Sequence, residues 1–176
     1  AALSGAMGAG LGEMVCNLTI GKDEYAEVER TLSDIRTELS NHRERLLELA
    51  DEDSEAFDEV MAAFKTPEDE GRAEAIEEAS KLAAEVPLET ATECLAVIEK
   101  SIPIAQHGNQ NSITDAGTGA LMAYAGLQAA LYNVEINLES INDEEYVAGV
   151  REEVAELRDS SKEAVNTVTE SIEESI

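Results

Sequence analysis

The chain has 176 residues, 43% of them apolar and 29% charged, enough for one domain with a real core and unlike a disordered polymer. Asp and Glu number 39 against 12 Lys and Arg, and the resulting formal charge of −27 excludes a broad electrostatic grip on nucleic acid or an anionic membrane. So acidic a surface repels itself, and it is the composition expected of a protein that folds in a high-salt cytoplasm.

The first segment, Ala1 to Ile20, is apolar, but it is mostly Ala and Gly and contains Glu13 and Asn17. A membrane span needs about 20 strongly apolar residues, so a buried helix is expected instead. No cationic signal precedes it, and the chain begins without Met, so the true start is expected upstream. Asn17-Leu18-Thr19 matches a glycosylation acceptor, yet nothing else speaks for secretion. The glycines are not spaced G-x-G-x-x-G and no strand pattern precedes them, which argues against a phosphate cradle. Ser4, Gly5, Gly8 and Gly12 instead recur at three- and four-residue steps, a flat helix face for close backbone packing.

Tyr25, Val28, Leu32, Ile35, Leu39, His42, Leu46 and Leu49 alternate steps of three and four, which predicts a long amphipathic helix. Asp51-Glu52-Asp53-Ser54 offers N-cap side chains, so a break near residue 53 is expected, followed by a helix carrying Phe57, Val60, Met61 and Phe64 that Pro67 ends. Ala75, Ile76, Ala79, Leu82, Ala83 and Val86 mark the next helix. Pro87 then opens another as a first-turn proline, continued by Leu88, Ala91, Leu95, Ile98 and Ile102 to about Pro103. Residues 103–114 read as loop and 116–138 as a helix without Lys or Arg. Asn142 with Glu145 three positions on resembles a capping box before a last helix with Val150, Val154, Leu157, Val165, Val168 and Ile172 inward.

Charge supports this division. Residues 1–21 contain one acidic side chain (Glu13), residues 101–140 contain three (Asp115, Glu135, Glu139), and neither segment contains Lys or Arg. These are the expected core helices. The fold predicted is a single all-α domain over residues 1–176, a bundle of long antiparallel helices whose apolar seams favour a homodimer. Cys16 and Cys94 fit no metal or redox spacing and are expected as buried, reduced thiols.

Two histidines, His42 and His107, are too few and too far apart for a metal motif. His42 takes a seam position, where a hydrogen-bonded core or interface role is expected, and His107 opens a polar run through Asn109, Asn111, Ser112 and Asp115 into the helix over 116–138. A polar loop at a helix N-terminus is a natural ligand site, although Ser112, Thr114 or Asp115 can also serve simply as caps. The density of the group exceeds what a cap needs. Asn133 and Asn137, one turn apart, and Asn17 are amides in apolar helices, where they either bond to backbone and to each other or line a polar cleft. Lys22, one of five lysines, is a cation retained in an acidic background or a helix-terminal dipole partner.

Four blocks of the sequence resemble the cyclodeaminase/cyclohydrolase family: Ala1 to Ala6 continuing to Met14-Val15-Cys16-Asn17-Leu18-Thr19-Ile20-Gly21-Lys22, then Asp53 to Lys65, Val86-Pro87-Leu88, and Gly108 to Leu138. The first and last blocks are the more specific. The family pattern has a Pro-Gly-Gly-Gly-Ser-like turn before the Ala-Ala-Leu-Ser-Gly stretch, so one wall of the site is expected upstream of this sequence.

The resemblance implies a homodimer with a reduced folate in a cleft between subunits, and no tightly bound metal or redox cofactor. Two reactions are then open: hydrolysis of 5,10-methenyltetrahydrofolate to 10-formyltetrahydrofolate, or loss of ammonia from 5-formiminotetrahydrofolate to form the methenyl bridge. The absence of a formiminotransferase domain favours the first. Asp115 is assigned as carboxylate base or cation stabiliser, Asp53 as a second carboxylate and Lys22 as proton donor or anchor for the folate glutamate, with Lys22 and Asp115 expected from different subunits. Asn17, Asn109, Asn111 and Ser112 would bind the pterin or orient water. A non-catalytic helical adaptor is the alternative from another class.

Overall fold

The computed structural model describes residues 1–68 and 71–176, and every regular element among them is helical. Five long helices form the bundle: α1 (Ala2–Thr19), α2 (Glu29–Ala63), α3 (Arg72–His107), α4 (Ile113–Leu138) and α5 (Glu144–Glu173). Successive helices run antiparallel; α4 follows α3 through a short 3-10 turn at Gln110–Ser112 and pairs with both α3 and α1. α3 is central and touches the other four. No helix is long and apolar enough to cross a membrane, among the described residues.

α1 ends where Gly21 takes φ 82°, a left-handed conformation suited to glycine. Its small residues allow the approach expected of them. A Cβ at Gly8 would lie 2.5 Å from the carbonyl of Gly119, one at Gly12 would lie 2.8 Å from Leu39, and Ser4 Oγ donates to the carbonyl of Met122 at 2.6 Å. Cys94 fills the space that Gly5 leaves, and both cysteines are free and buried. Burial pushes the Cys16 thiol up to about 11 and the Cys94 thiol up to about 12.

α2 buries Leu32, Ile35, Leu39, Leu46 and Leu49 as the periodicity predicts. It begins later than expected, with Tyr25 in a separate 3-10 turn (Asp23–Tyr25), and it does not break near residue 53. The cap-forming side chains there lie on its outer face. Ser54 Oγ turns back to the carbonyl of Ala50 at 3.4 Å, and Arg45 reaches Glu48, Glu52 and, on α3, Glu89. Continued burial at Ala56 and Ala63 holds the helix to its end, short of Pro67. His42, half-buried, bonds to Glu93 at 2.7 Å, and Lys100 pairs with Glu38, so α2 and α3 are tied along their length.

α3 is also one helix where two were expected, with Pro87 and Pro103 inside it. A proline removes the N–H that would bond four residues back, so Pro87 frees the carbonyl of Ala83. Asn137 of α4 supplies the missing donor, its Nδ2 lying 2.5 Å from that oxygen. The last helix is capped by Asp143 rather than Asn142: its carboxylate accepts from the Tyr146 N–H at 3.1 Å and pairs with Lys81 at 2.7 Å.

The two helices without Lys or Arg, α1 and α4, are core on one side only. α1 leaves Leu3, Met7, Met14 and Leu18 exposed, and α4 leaves Leu121, Tyr132 and Ile136, each set spaced by about whole turns along one helix face. Because α1 and α4 are neighbours, these stripes adjoin on a face without Lys or Arg.

Candidate active site

The chain sorts its polar residues between two ends of the bundle. At one end α1 and α3 finish and α4 begins, bringing together Asn17, Lys22, His107, Asn109, Asn111, Ser112 and Asp115. At the other, Asp53, Asn133 and Asn137 share a groove. Asp115 and Asn133 are eighteen positions apart on α4, about 27 Å at 1.5 Å per residue.

In the first group, Asn109 and Ser112 are buried and their bonds go to the chain itself. The Asn109 N–H donates to Thr19 Oγ1 and its Nδ2 to the Leu18 carbonyl, both at 2.9 Å, while its Oδ1 accepts from the Asn111 N–H at 3.0 Å. Ser112 Oγ donates to the Asn109 carbonyl at 3.2 Å. The two contacts from Asn109 to Thr19 and Leu18 fasten the α3–α4 connection to the end of α1, and the Gln110 N–H donates to the Tyr25 hydroxyl in the 3-10 turn that follows α1. Asn17 is exposed rather than buried and accepts from Arg36 at 3.0 Å. Lys22, His107 and Asn111 are exposed, and Asp115 is half-buried in the first turn of α4. Lys22 and Asp115 therefore share one end of the same chain.

The second group lies where α1 begins. Asp53, Ser54, Phe57 and Asp58 of α2 face Ala83 of α3 and Asn133 and Asn137 of α4 across a cavity of about 480 Å³. It continues past Asp53 and Asn133 into a smaller cavity of about 190 Å³ lined by Ala1, Ala2, Leu3, Ala50, Pro87 and Thr90. Asn133 is exposed, contrary to the buried amide expected, and donates to the carbonyl of Ala129 at 2.9 Å, leaving its oxygen for a ligand. Asn137 spends its Nδ2 on Ala83. Asp53 is exposed and makes no side-chain hydrogen bond among the described residues.

This groove has two carboxylates and no cation in its lining, with carboxamide groups opposite. Such an arrangement suits a cationic nitrogen heterocycle, and an unpaired carboxylate beside it can take a proton from water. Phe57 and Asp58 were not recognised as groove residues in the sequence, where Phe57 read as an inward helix position. The usable signal was the four-residue spacing of Asp53 and Phe57, which puts both on one face of α2. Among the described residues, no cluster of three His, Cys, Asp or Glu side chains is placed to hold a metal ion.

Residues 1–156 match the formiminotransferase-cyclodeaminase family model. The chain is 45% identical to a methenyltetrahydrofolate cyclohydrolase of Methylorubrum extorquens over 81% of its own length and 71% of that protein's. It is 31% identical to the formimidoyltransferase-cyclodeaminase of Gallus gallus over 93% of its length, but spans only 31% of that longer protein. The fold is similar, at a TM-score of 0.91 and 31% identity, to a formiminotetrahydrofolate cyclodeaminase of Thermotoga maritima, covering 98% of this chain and 84% of that one. The chain thus belongs to the formiminotransferase-cyclodeaminase family.

Proposed function

We propose that this protein hydrolyses the methenyl bridge of 5,10-methenyltetrahydrofolate to give 10-formyltetrahydrofolate. The observation that carries the reading is its 45% identity to a cyclohydrolase over most of both chains, against 31% or less to the two-activity relatives. The groove's chemistry supports it. The methenyl form is a cationic amidinium, and Asp53 and Asp58 supply negative charge where it would sit.

In this reading Asp53 accepts a proton from water as the oxygen attacks the methenyl carbon. It returns that proton to N5 as the C–N5 bond breaks, while the hydroxyl proton leaves to solvent and the formyl group stays on N10. Asn133 and Asn137 bind the polar edge of the pterin. No tightly bound cofactor is required by these steps, and the setting we assign is a cytoplasm with reduced thiols.

Asp115 and Lys22 enter through a second subunit. We place the homodimer contact on the bare stripes of α1 and α4, where Leu3, Met7, Leu121 and Tyr132 stand in water in a single chain. A two-fold axis through the middle of that face reverses the helices. It brings the Lys22 and Asp115 end of the partner toward the Asp53 groove, so the shared site pairs Asp53 with Lys22 and Asp115, rather than Lys22 with Asp115. In that pairing Asp115 stabilises the cation and Lys22 anchors the folate glutamate, with Asn17, His107 and Asn111 as flanking contacts.

The Thermotoga similarity favours a second reading, cyclodeamination of 5-formiminotetrahydrofolate. Purified protein offered each folate separately decides between them. Loss of methenyl absorbance above the uncatalysed rate is the expected result, appearance of that absorbance from the formimino substrate supports the second reading, and silence with both overturns the two together.

A further inference from the structure

Phe57 is one of two phenylalanines in the chain, and it is 63% exposed in the most acidic stretch of α2, between Glu55 and Asp58. Burial would hide this ring at a gain, so its place in water is unfavourable unless something covers it. It is on α2, not on the α1 and α4 stripes. Its surroundings are specific. Asp53 precedes it by one helical turn on the same face, Asn133 and Asn137 line the opposite wall, and all four border the cavity of about 480 Å³. No other aromatic residue lines that cavity.

We propose that Phe57 is the platform on which the conjugated ring of the reduced pterin stacks; this rests on the folate reading above. A pterin has an apolar π-face and an edge of alternating donors and acceptors. The groove offers the same two kinds of surface, an aromatic ring on α2 and carboxylate and carboxamide groups around it. The p-aminobenzoyl ring has the face but lacks the edge, so it fits the groove less well. Stacking also explains why a bulky apolar side chain stands directly beside the carboxylate: the ring sets the plane of the bicycle and so the distance from Asp53 to the bridging carbon.

The test separates stacking from simple space-filling and from the folate reading itself. Phe57→Leu keeps apolar bulk without a π-face, and Phe57→Tyr keeps the face. Because the residue is exposed, neither should disturb folding, which circular dichroism melts will verify. KM for 5,10-methenyltetrahydrofolate is expected to rise about ten-fold or more in Phe57→Leu and Phe57→Ala, the scale of a lost base–aromatic stack, and to stay within about two-fold in Phe57→Tyr. Phe64→Ala removes the other exposed phenylalanine, which lies outside the groove, and should leave KM unchanged. p-Aminobenzoylglutamate should compete equally with wild type and Phe57→Leu. A wild-type KM in Phe57→Leu, or a competitor that weakens in step with substrate, overturns the platform while the folate reading stands. A wild-type protein that is inactive on reduced folates and unstabilised by them overturns both.

Discussion

The side-chain amide of Asn137 donates to the carbonyl of Ala83 at 2.5 Å, and Pro87, four residues after Ala83, is the reason that carbonyl is free. One helix thus repairs the gap that a proline makes in another. Without its donor, a buried carbonyl carries a penalty of about 1–3 kcal/mol. Asn137→Ala should therefore lower the urea midpoint measurably in a protein free of ligand. In a Pro87→Ala background the new N–H takes the carbonyl itself, and the same substitution should have much less effect. Equal losses in the two backgrounds would disconnect Asn137 from the proline.

That contact also marks where the sequence was readable and where it was not. The seam Leu32, Ile35, Leu39, Leu46 and Leu49 was legible because burial follows a local period. The continuity of α3 through Pro87 was not, since the donor that takes the carbonyl freed there comes from Asn137 on another helix. Asp51 to Ser54 looked like a helix start because cap residues are recognised by type, yet Ala56 and Ala63 keep burying the same face beyond them. The polar density at residues 107–115 read as ligand chemistry, but Asn109 and Ser112 use it to bind the chain to itself. Asp53, Asn133 and Asn137 were singled out separately. Only the antiparallel crossing of α2, α3 and α4 puts them around one groove.

Asp53 and Asp115 are separable by isosteric replacement. Asp53 is exposed and without a side-chain bond, so Asp53→Asn should leave the melting midpoint near wild type while turnover of the methenyl substrate falls by about 10²-fold or more. Asp115→Asn keeps a competent residue in the first turn of α4. A similar fall there, with melting unchanged, supports its place in the site, and full activity leaves it a helix-terminal acid. Full activity in Asp53→Asn would remove the base from the proposed chemistry.

Acid sensitivity follows from two ion pairs. Bonding to Arg45 holds the Glu89 carboxyl below its ordinary value, and bonding to Lys81, then to the Tyr146 N–H, does the same for Asp143. Groups depressed in the folded state stabilise it above the ordinary carboxylate range and lose that contribution as pH falls through the folded value. Thermal midpoints measured between about pH 5 and 2 should fall more shallowly in Arg45→Met and Lys81→Met than in wild type. An unchanged acid slope would assign the loss to other carboxylates.

Salt acts on the whole surface. With −27 spread mainly over α2, α3 and α5, the thermal midpoint should climb steeply from low ionic strength toward 1 M, where the screening length is about 3 Å. Desalting is expected to unfold the chain or part the proposed dimer. Melting curves independent of salt would show that the acidic surface is not what limits stability and would end the high-salt reading.

Asp53 shares its groove with Asn133, which lies about 27 Å along α4 from Asp115, and this separation sets the hardest test of a shared site. If each site takes Asp53 from one subunit and Asp115 from the other, Asp53→Asn and Asp115→Asn proteins are both inactive alone and complement when mixed. Unfolding and refolding them together pairs chains at random, so about half the dimers are mixed, and each mixed dimer has one site with both carboxylates and one with neither. About a quarter of wild-type activity should return. If one chain supplied both residues to its own site, every site in a mixed dimer would carry a lesion and nothing would be regained. Mass measurement must show that mixed dimers formed. Given that, a refolded mixture as inactive as its parents rejects the two-subunit site, and recovery of about a quarter shows that two subunits build it.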